Sequence, residues 1–170
     1  MTVDSGLAAV PEQAEAPPIS ETVAVETRFG VYEFTAQNRI FMPTGPLGFQ
    51  DCRNFGLANM PDPRLAHFKL LQSLDDPQLS FIVTALPEDG GPIANEDLEE
   101  ICRSAGAPLD EAIFLLIVTI RPSPEGEGIT MTINLRAPIV FSPHNGQARQ
   151  CVSSKQAYSV QQPFYGWPEA

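Results

Sequence analysis

Positive charge is scarce in this sequence. Ten Lys+Arg face 21 Asp+Glu, for a net charge of -11 and a pI near 4.4. Phosphate backbones are held by Lys and Arg, so direct binding of DNA or RNA is not expected. Docking on an anionic membrane is disfavoured for the same reason. Long apolar runs are missing too. The longest spans Ala112 to Val118, whereas a membrane-crossing helix needs about 20 residues. The first residues, Met1 to Gly6, show neither a basic segment nor an apolar one, so no signal peptide is expected and the expected compartment is the cytoplasm. Cysteine is sparse. Cys52, Cys102 and Cys151 are odd in number, widely spaced and without a C-x-x-C, which argues against a disulfide framework and against a zinc site. The sequence contains no Walker loop, dinucleotide glycine motif or G-x-S-x-G. No metal and no cofactor are expected.

Proline is abundant instead, at 17 of 170 residues. That argues against a helical bundle and for many short elements separated by turns. The length suits one domain. Residues 1–21 are rich in Ala, Pro, Glu and Gln, with acids but no base; they read as a disordered acidic tail. From Thr22 the pattern becomes strand-like. Segments 22–27, 30–34, 39–42, 54–59, 66–72 and 79–85 are short and rich in β-branched or apolar residues. Between them, Pro43 to Phe49 is a turn-rich stretch in which Gly45 and Gly48 are expected to supply positive-φ positions. One helix is expected from Asn95 to Ala105. Asn95 can cap it, acids fill its first turns, Leu98, Ile101 and Cys102 share one face, and Gly106 follows as a stop. Residues 112–120 read as a central strand buried on both faces. Segments 129–136 and 139–141 continue the sheet, with Pro138 ending a strand or marking an edge. Asn145-Gly146 signals a hairpin, and 148–153 and 157–160 read as the last strands. Residues 165–170 look loose. The expected fold is mainly β: about nine short strands and one helix, packed as a small β-barrel-like or crossed-sandwich domain.

Catalytic constellations are thin. His67 and His144 are the only histidines. The first reads as structural and the second as solvated in a turn. A Cys–His nucleophile pair stays open, because sequence distance says nothing of spatial distance. Asp75 and Asp76 could serve acid–base work, but adjacent acids before a proline also make a turn. Charge placement stands out more. Ten acids lie between Asp75 and Glu111, with Arg103 the sole base there. They read either as a surface that steers a basic partner or as a solvated helix face with acidic turns.

Four segments, in order, resemble the bacterial flagellar assembly factor FliW family. They are Ile40-Phe41-Met42-Pro43-Thr44-Gly45-Pro46-Leu47-Gly48-Phe49; Phe68 to Pro77 with Leu79-Ser80-Phe81-Ile82-Val83; Met131 to Val140; and Gly146 and Gln150 followed by Tyr158-Ser159-Val160. Under this resemblance residues 22–164 form one FliW-like β-barrel domain. The resemblance implies a role without catalysis. It implies binding of flagellin, and of the RNA-binding translational regulator CsrA, whose repression of flagellin translation such a protein relieves.

Within those segments, Phe41 and Phe49 are expected in the core. Gly45 and Gly48 are expected at turns, Gln72 and Ser73 on a strand ladder or turn, and Asn134 as a brace for neighbouring backbone. Pro138 and Gln150 complete the motif. Asp75, Asp76, Glu96, Asp97, Glu99 and Glu100 are the candidates for a partner-binding acidic surface. A small-molecule-binding barrel, which needs a deep apolar cavity, and a hydrolase with an unrecognised site are the competing readings.

Overall fold

The computed structural model of the protein describes residues 22–167. The tail expected over residues 1–21 lies outside the described residues. Strands β1 (Val23–Thr27) and β2 (Gly30–Phe34) form an antiparallel two-stranded ribbon. The main sheet follows: β3 (Arg39–Phe41), β4 (Asn54–Asn59), β5 (Phe68–Ser73) and β6 (Ser80–Ala85), then helix α1 (Asn95–Ala105). It continues with β7 (Ile113–Pro122), β8 (Ile129–Ile133), β9 (Ile139–Ser142), β10 (Gln147–Gln150) and β11 (Gln162–Pro163). The fold is mainly β with one α-helix among the described residues, as the sequence predicts.

The order across the sheet is β11-β8-β7-β6-β5-β4-β3-β10-β9, and β9 also pairs with β7. Strand β7 makes this possible by its length. Its first residues, Ile113 to Leu115, pair with β9, and Val118 to Pro122 pair with β8 on the same side. Seven strands therefore come round on themselves. The ring does not close into a barrel, since β3 and β10 meet at one parallel residue pair, Phe41 and Gln147.

Both sides of this wall are apolar, because strand side chains alternate. Ile40, Phe55, Leu71, Val83, Leu115, Ile139 and Ala148, one from each of the seven strands, pack with Met42 inside the ring. Their neighbours Leu70, Phe114, Leu116, Val118 and Val140 face outward into a second cluster. Leu98, Ile101 and Cys102 of α1, Ile133 of β8 and Phe164 cover it. That explains the apolar run of β7, which is buried or half-buried on both faces from Phe114 to Val118, whereas Ile113 and Thr119, within the span expected to be buried, are exposed. Side chains from each of its seven strands fill much of the ring, and a cavity of about 450 Å³ reaches Ile40, Phe55 and Phe141 from the side of Pro143 and Asn145.

Several local expectations are corrected. Segment 157–160 is not a strand. Its backbone bonds run to turns and to the β8–β9 connection (Tyr158 N–H to Lys155 O, 3.3 Å; Leu135 N–H to Ser159 O, 2.9 Å). The last strand is β11 instead. Of the end expected to be loose, residues 168–170 lie outside the described residues, Tyr165 is exposed, and Trp167 is held: its indole N–H donates to the buried Thr84 hydroxyl at 3.0 Å, and its ring meets Phe164 edge-on at 4.9 Å. Asn145-Gly146 does join a hairpin, β9 to β10, but only Gly146 takes a positive φ. His67 is exposed ahead of β5 rather than within a strand.

Candidate functional site: the acidic face around helix α1

Helix α1 begins with Ala94, whose carbonyl accepts from the N–H groups of Asp97 and Leu98, both at 3.0 Å. Asn95, the expected cap, is the first helical residue, and its side chain donates to Glu99 at 3.3 Å. Gly106 ends the helix in the left-handed conformation at φ 74°, a position glycine adopts without cost. The amphipathic spacing buries Leu98, Ile101 and Cys102 and leaves Glu96, Glu99 and Glu100 exposed. Glu88 and Asp89 precede the helix and Asp110 and Glu111 follow it, all exposed.

Asp97 departs from that face. It is 5% exposed. The Tyr158 hydroxyl donates to its Oδ2 at 2.5 Å, and Lys155 Nζ lies 3.0 Å from its Oδ1. Tyr158 in turn accepts from the Ala94 N–H at 3.0 Å. The Tyr158 hydrogen bond first, and Lys155 second, hold the Asp97 carboxyl below the usual carboxylate range. Burial and the same bond push the Tyr158 phenol up, and Asp97 raises Lys155. This trio latches the segment after β10 to the helix N-terminus. Sequence reasoning missed Lys155 and Tyr158 as its members, because residues some 60 apart carry no local signal of contact.

Asp75 and Asp76 also leave the face. Asp75 Oδ2 accepts from the backbone N–H groups of Arg53 (2.8 Å) and Asn54 (2.9 Å). Asp76 accepts from Gln78 N–H at 3.0 Å. Their own N–H groups donate to the Ser73 hydroxyl. Buried Gln72 donates to the carbonyls of Ser73 (2.9 Å) and Pro77 (3.0 Å). All four residues shape the β5–β6 turn and fix it to the start of β4. That turn and α1 sit at opposite ends of β6, and a six-residue strand spans roughly 17–20 Å. The six candidate acids thus divide into a turn pair, a buried latch and three exposed helix carboxylates.

The remaining motif residues are placed as follows. Phe41 is buried in β3. Gly48 has φ 85°, but Gly45 does not have a positive φ. A Cβ on Gly45 would lie 2.3 Å from the carbonyl oxygens of Phe49 and Cys52, so close backbone approach demands that glycine. Phe49 is not in the core; it is 43% exposed and meets Phe81 edge-on. Asn134 Oδ1 accepts from the N–H groups of Arg136 and Ala137, both at 3.0 Å. Pro138 is buried in the β8–β9 connection, and its carbonyl accepts from Cys151 N–H at 3.0 Å. Gln150 bridges two loops, accepting from Leu47 N–H (2.8 Å) and donating to Ala137 O (3.0 Å).

Burial pushes Cys102 and Cys151 up, away from the thiolate form that reacts. Among the described residues, no three His, Cys, Asp or Glu side chains are grouped to hold a metal ion. No helix among them is long and apolar enough to cross a membrane.

A family model described as FliW protein matches residues 23–164, from the first residue of β1 to the buried Phe164. The chain belongs to the FliW family. It is 37% identical over 140 residues to a flagellar assembly factor FliW of Geotalea uraniireducens, covering 82% of each chain. It is 35% identical over 149 residues to one from Desulfitobacterium hafniense, covering 85% of this chain and 90% of that one. A flagellar assembly factor FliW 2 of Desulfotalea psychrophila is 32% identical over 144 residues, with 82% and 89% covered. A crystal structure of a flagellar assembly factor FliW superposes with a TM-score of 0.58 at 21% identity, over 84% of this chain and 96% of the other. The same mainly β arrangement therefore recurs in FliW.

Proposed function

We propose that this FliW-family protein works in the cytoplasm as a binding protein without catalytic activity. It holds flagellin and, in exchange, the translational regulator CsrA, and so couples flagellin supply to flagellin translation. The observation that supports this reading is the exposed carboxylate array of α1 and its flanks: Glu88, Asp89, Glu96, Glu99, Glu100, Asp110 and Glu111. A surface of that sign, on a chain of net charge -11, repels nucleic acid and attracts a basic RNA-binding protein. Antagonism then proceeds by occupying the regulator, not by competing for RNA as a second RNA binder.

The test is calorimetric titration of the full chain with its own organism's flagellin and, separately, its CsrA, at two salt concentrations. CsrA binding that weakens with salt is expected, because exposed charges are screened beyond about 10 Å at 0.1 M ionic strength. Flagellin binding alone would reduce the role to a chaperone-like one. Binding of neither would refute the proposal.

A further inference from the structure

Beside the acidic face runs a groove of about 890 Å³. Its floor is apolar. Leu86, Leu98 and Phe114 are each at least nine-tenths buried beneath it, and Ile113 stands 39% exposed. The floor is open for a reason that the topology makes plain. Strand β6 stops at Ala85, the register partner of Leu115. Leu86 N–H still bonds Phe114 O at 2.8 Å, but Pro87, with no N–H to offer, leads the chain away. Ile113, at the start of β7, is paired with Phe141 of β9 on one side. Among the described residues no strand pairs it on the other. The rim carries Glu88 from one side and Asp110 and Glu111 from the turn after α1, all exposed. No Lys or Arg lines the groove.

We propose that this groove receives a cationic amphipathic helix of a partner protein, apolar side chains down on Ile113 and its neighbours, Lys or Arg outward against the rim. This deepens the partner-binding reading above and rests on it. An apolar floor within a one-signed rim matches the helix-in-groove mode of recognition. The charge selects the occupant. A second copy of this chain would set carboxylates against carboxylates. A nucleic acid or an anionic lipid surface meets the same repulsion.

The test uses the full chain and a labelled synthetic helix, with Leu at amphipathic spacing and Lys elsewhere, followed by fluorescence anisotropy. A twin carries Glu in place of every Lys. The Lys helix binds, more weakly in salt, and the Glu twin does not. Ile113→Asp is the sharpest variant, because it adds an acid while removing the floor. General charge attraction predicts tighter binding of the Lys helix; the groove predicts a loss of at least roughly tenfold. Glu111→Lys, at a solvent-exposed site, weakens binding by a similar factor. Glu96→Lys, an equal charge change outside the groove lining, weakens it by no more than about threefold. Equal effects at 96 and 111, or undiminished binding by Ile113→Asp, would overturn the inference. The same variants are then titrated with CsrA and flagellin. If neither protein binds the parent chain while the helix does, the proposed function fails and the groove stands. If either protein binds Ile113→Asp and Glu111→Lys as well as the parent, the groove is overturned and the function stands.

Discussion

Gly56→Ala should destabilise the protein through a single ring. Gly56 lies in β4 beneath Phe34, the last residue of β2, which is 0% exposed. A Cβ there would stand 2.1 Å from Phe34 Cδ1 and 2.5 Å from Cγ. Carbon atoms in contact sit about 3.5–4.0 Å apart, so the ring must retreat by well over an ångström or the ribbon must lift. Gly56 has no positive φ, so the substitution adds no backbone strain and isolates the collision. The β1–β2 ribbon has no ladder pairing with the main sheet, and its seat depends on side chains such as this one. Overpacking of this kind costs about 1–3 kcal/mol. Expelling the ring altogether sets a similar scale, since burying a Phe side chain is worth about 1.5–3 kcal/mol. Urea unfolding, read by the emission of Trp167, the sole tryptophan, gives the loss. A double-mutant cycle tests the cause. Phe34→Ala alone costs about 3–5 kcal/mol, but with the ring gone, adding Gly56→Ala should cost almost nothing more. A Gly56→Ala protein within about 0.5 kcal/mol of the parent, or costs that simply add, would refute the reasoning.

Three further outcomes are expected. The Asp97 carboxyl is held below its ordinary value by Tyr158 and Lys155, so its contribution to stability is complete above the unfolded pKa of about 3.9. It is lost as pH falls through the lower folded value; stability measured from pH 5 downward should fall less steeply in Asp97→Asn than in the parent. Asn134→Ala leaves the Arg136 and Ala137 N–H groups without their shared acceptor and should cost about 1–3 kcal/mol in urea unfolding, whereas Asn134→Asp, which keeps the acceptor, should cost less. Phe164→Ala removes the ring that Trp167 meets at 4.9 Å; the native emission should move to the red, and an unchanged spectrum would show that Thr84 alone holds the indole.

Helix α1 was legible because its signals are local: acids at one end, an apolar stripe, a glycine just past the other. β7 was legible for the same kind of reason, since an unbroken apolar run needs two buried faces and the ring supplies both. Legibility failed wherever a residue answers to a distant partner. Asn95 looks like the better cap, yet Ala94 holds that position. Its N–H is met by Tyr158, from a segment whose alternation suggested a strand. The hydroxyl that satisfies Ala94 also takes Asp97 out of the solvated face. One side chain, placed by tertiary packing, thus undoes three local readings at once. The acidic surface shows the same logic on a larger scale. Composition counts ten acids in a stretch of sequence, but β6 carries the turn pair and the helix to opposite ends of a strand. What composition does convey is sign: carboxylates left exposed around α1 rim the groove beside it, which is why we propose a basic partner for this face.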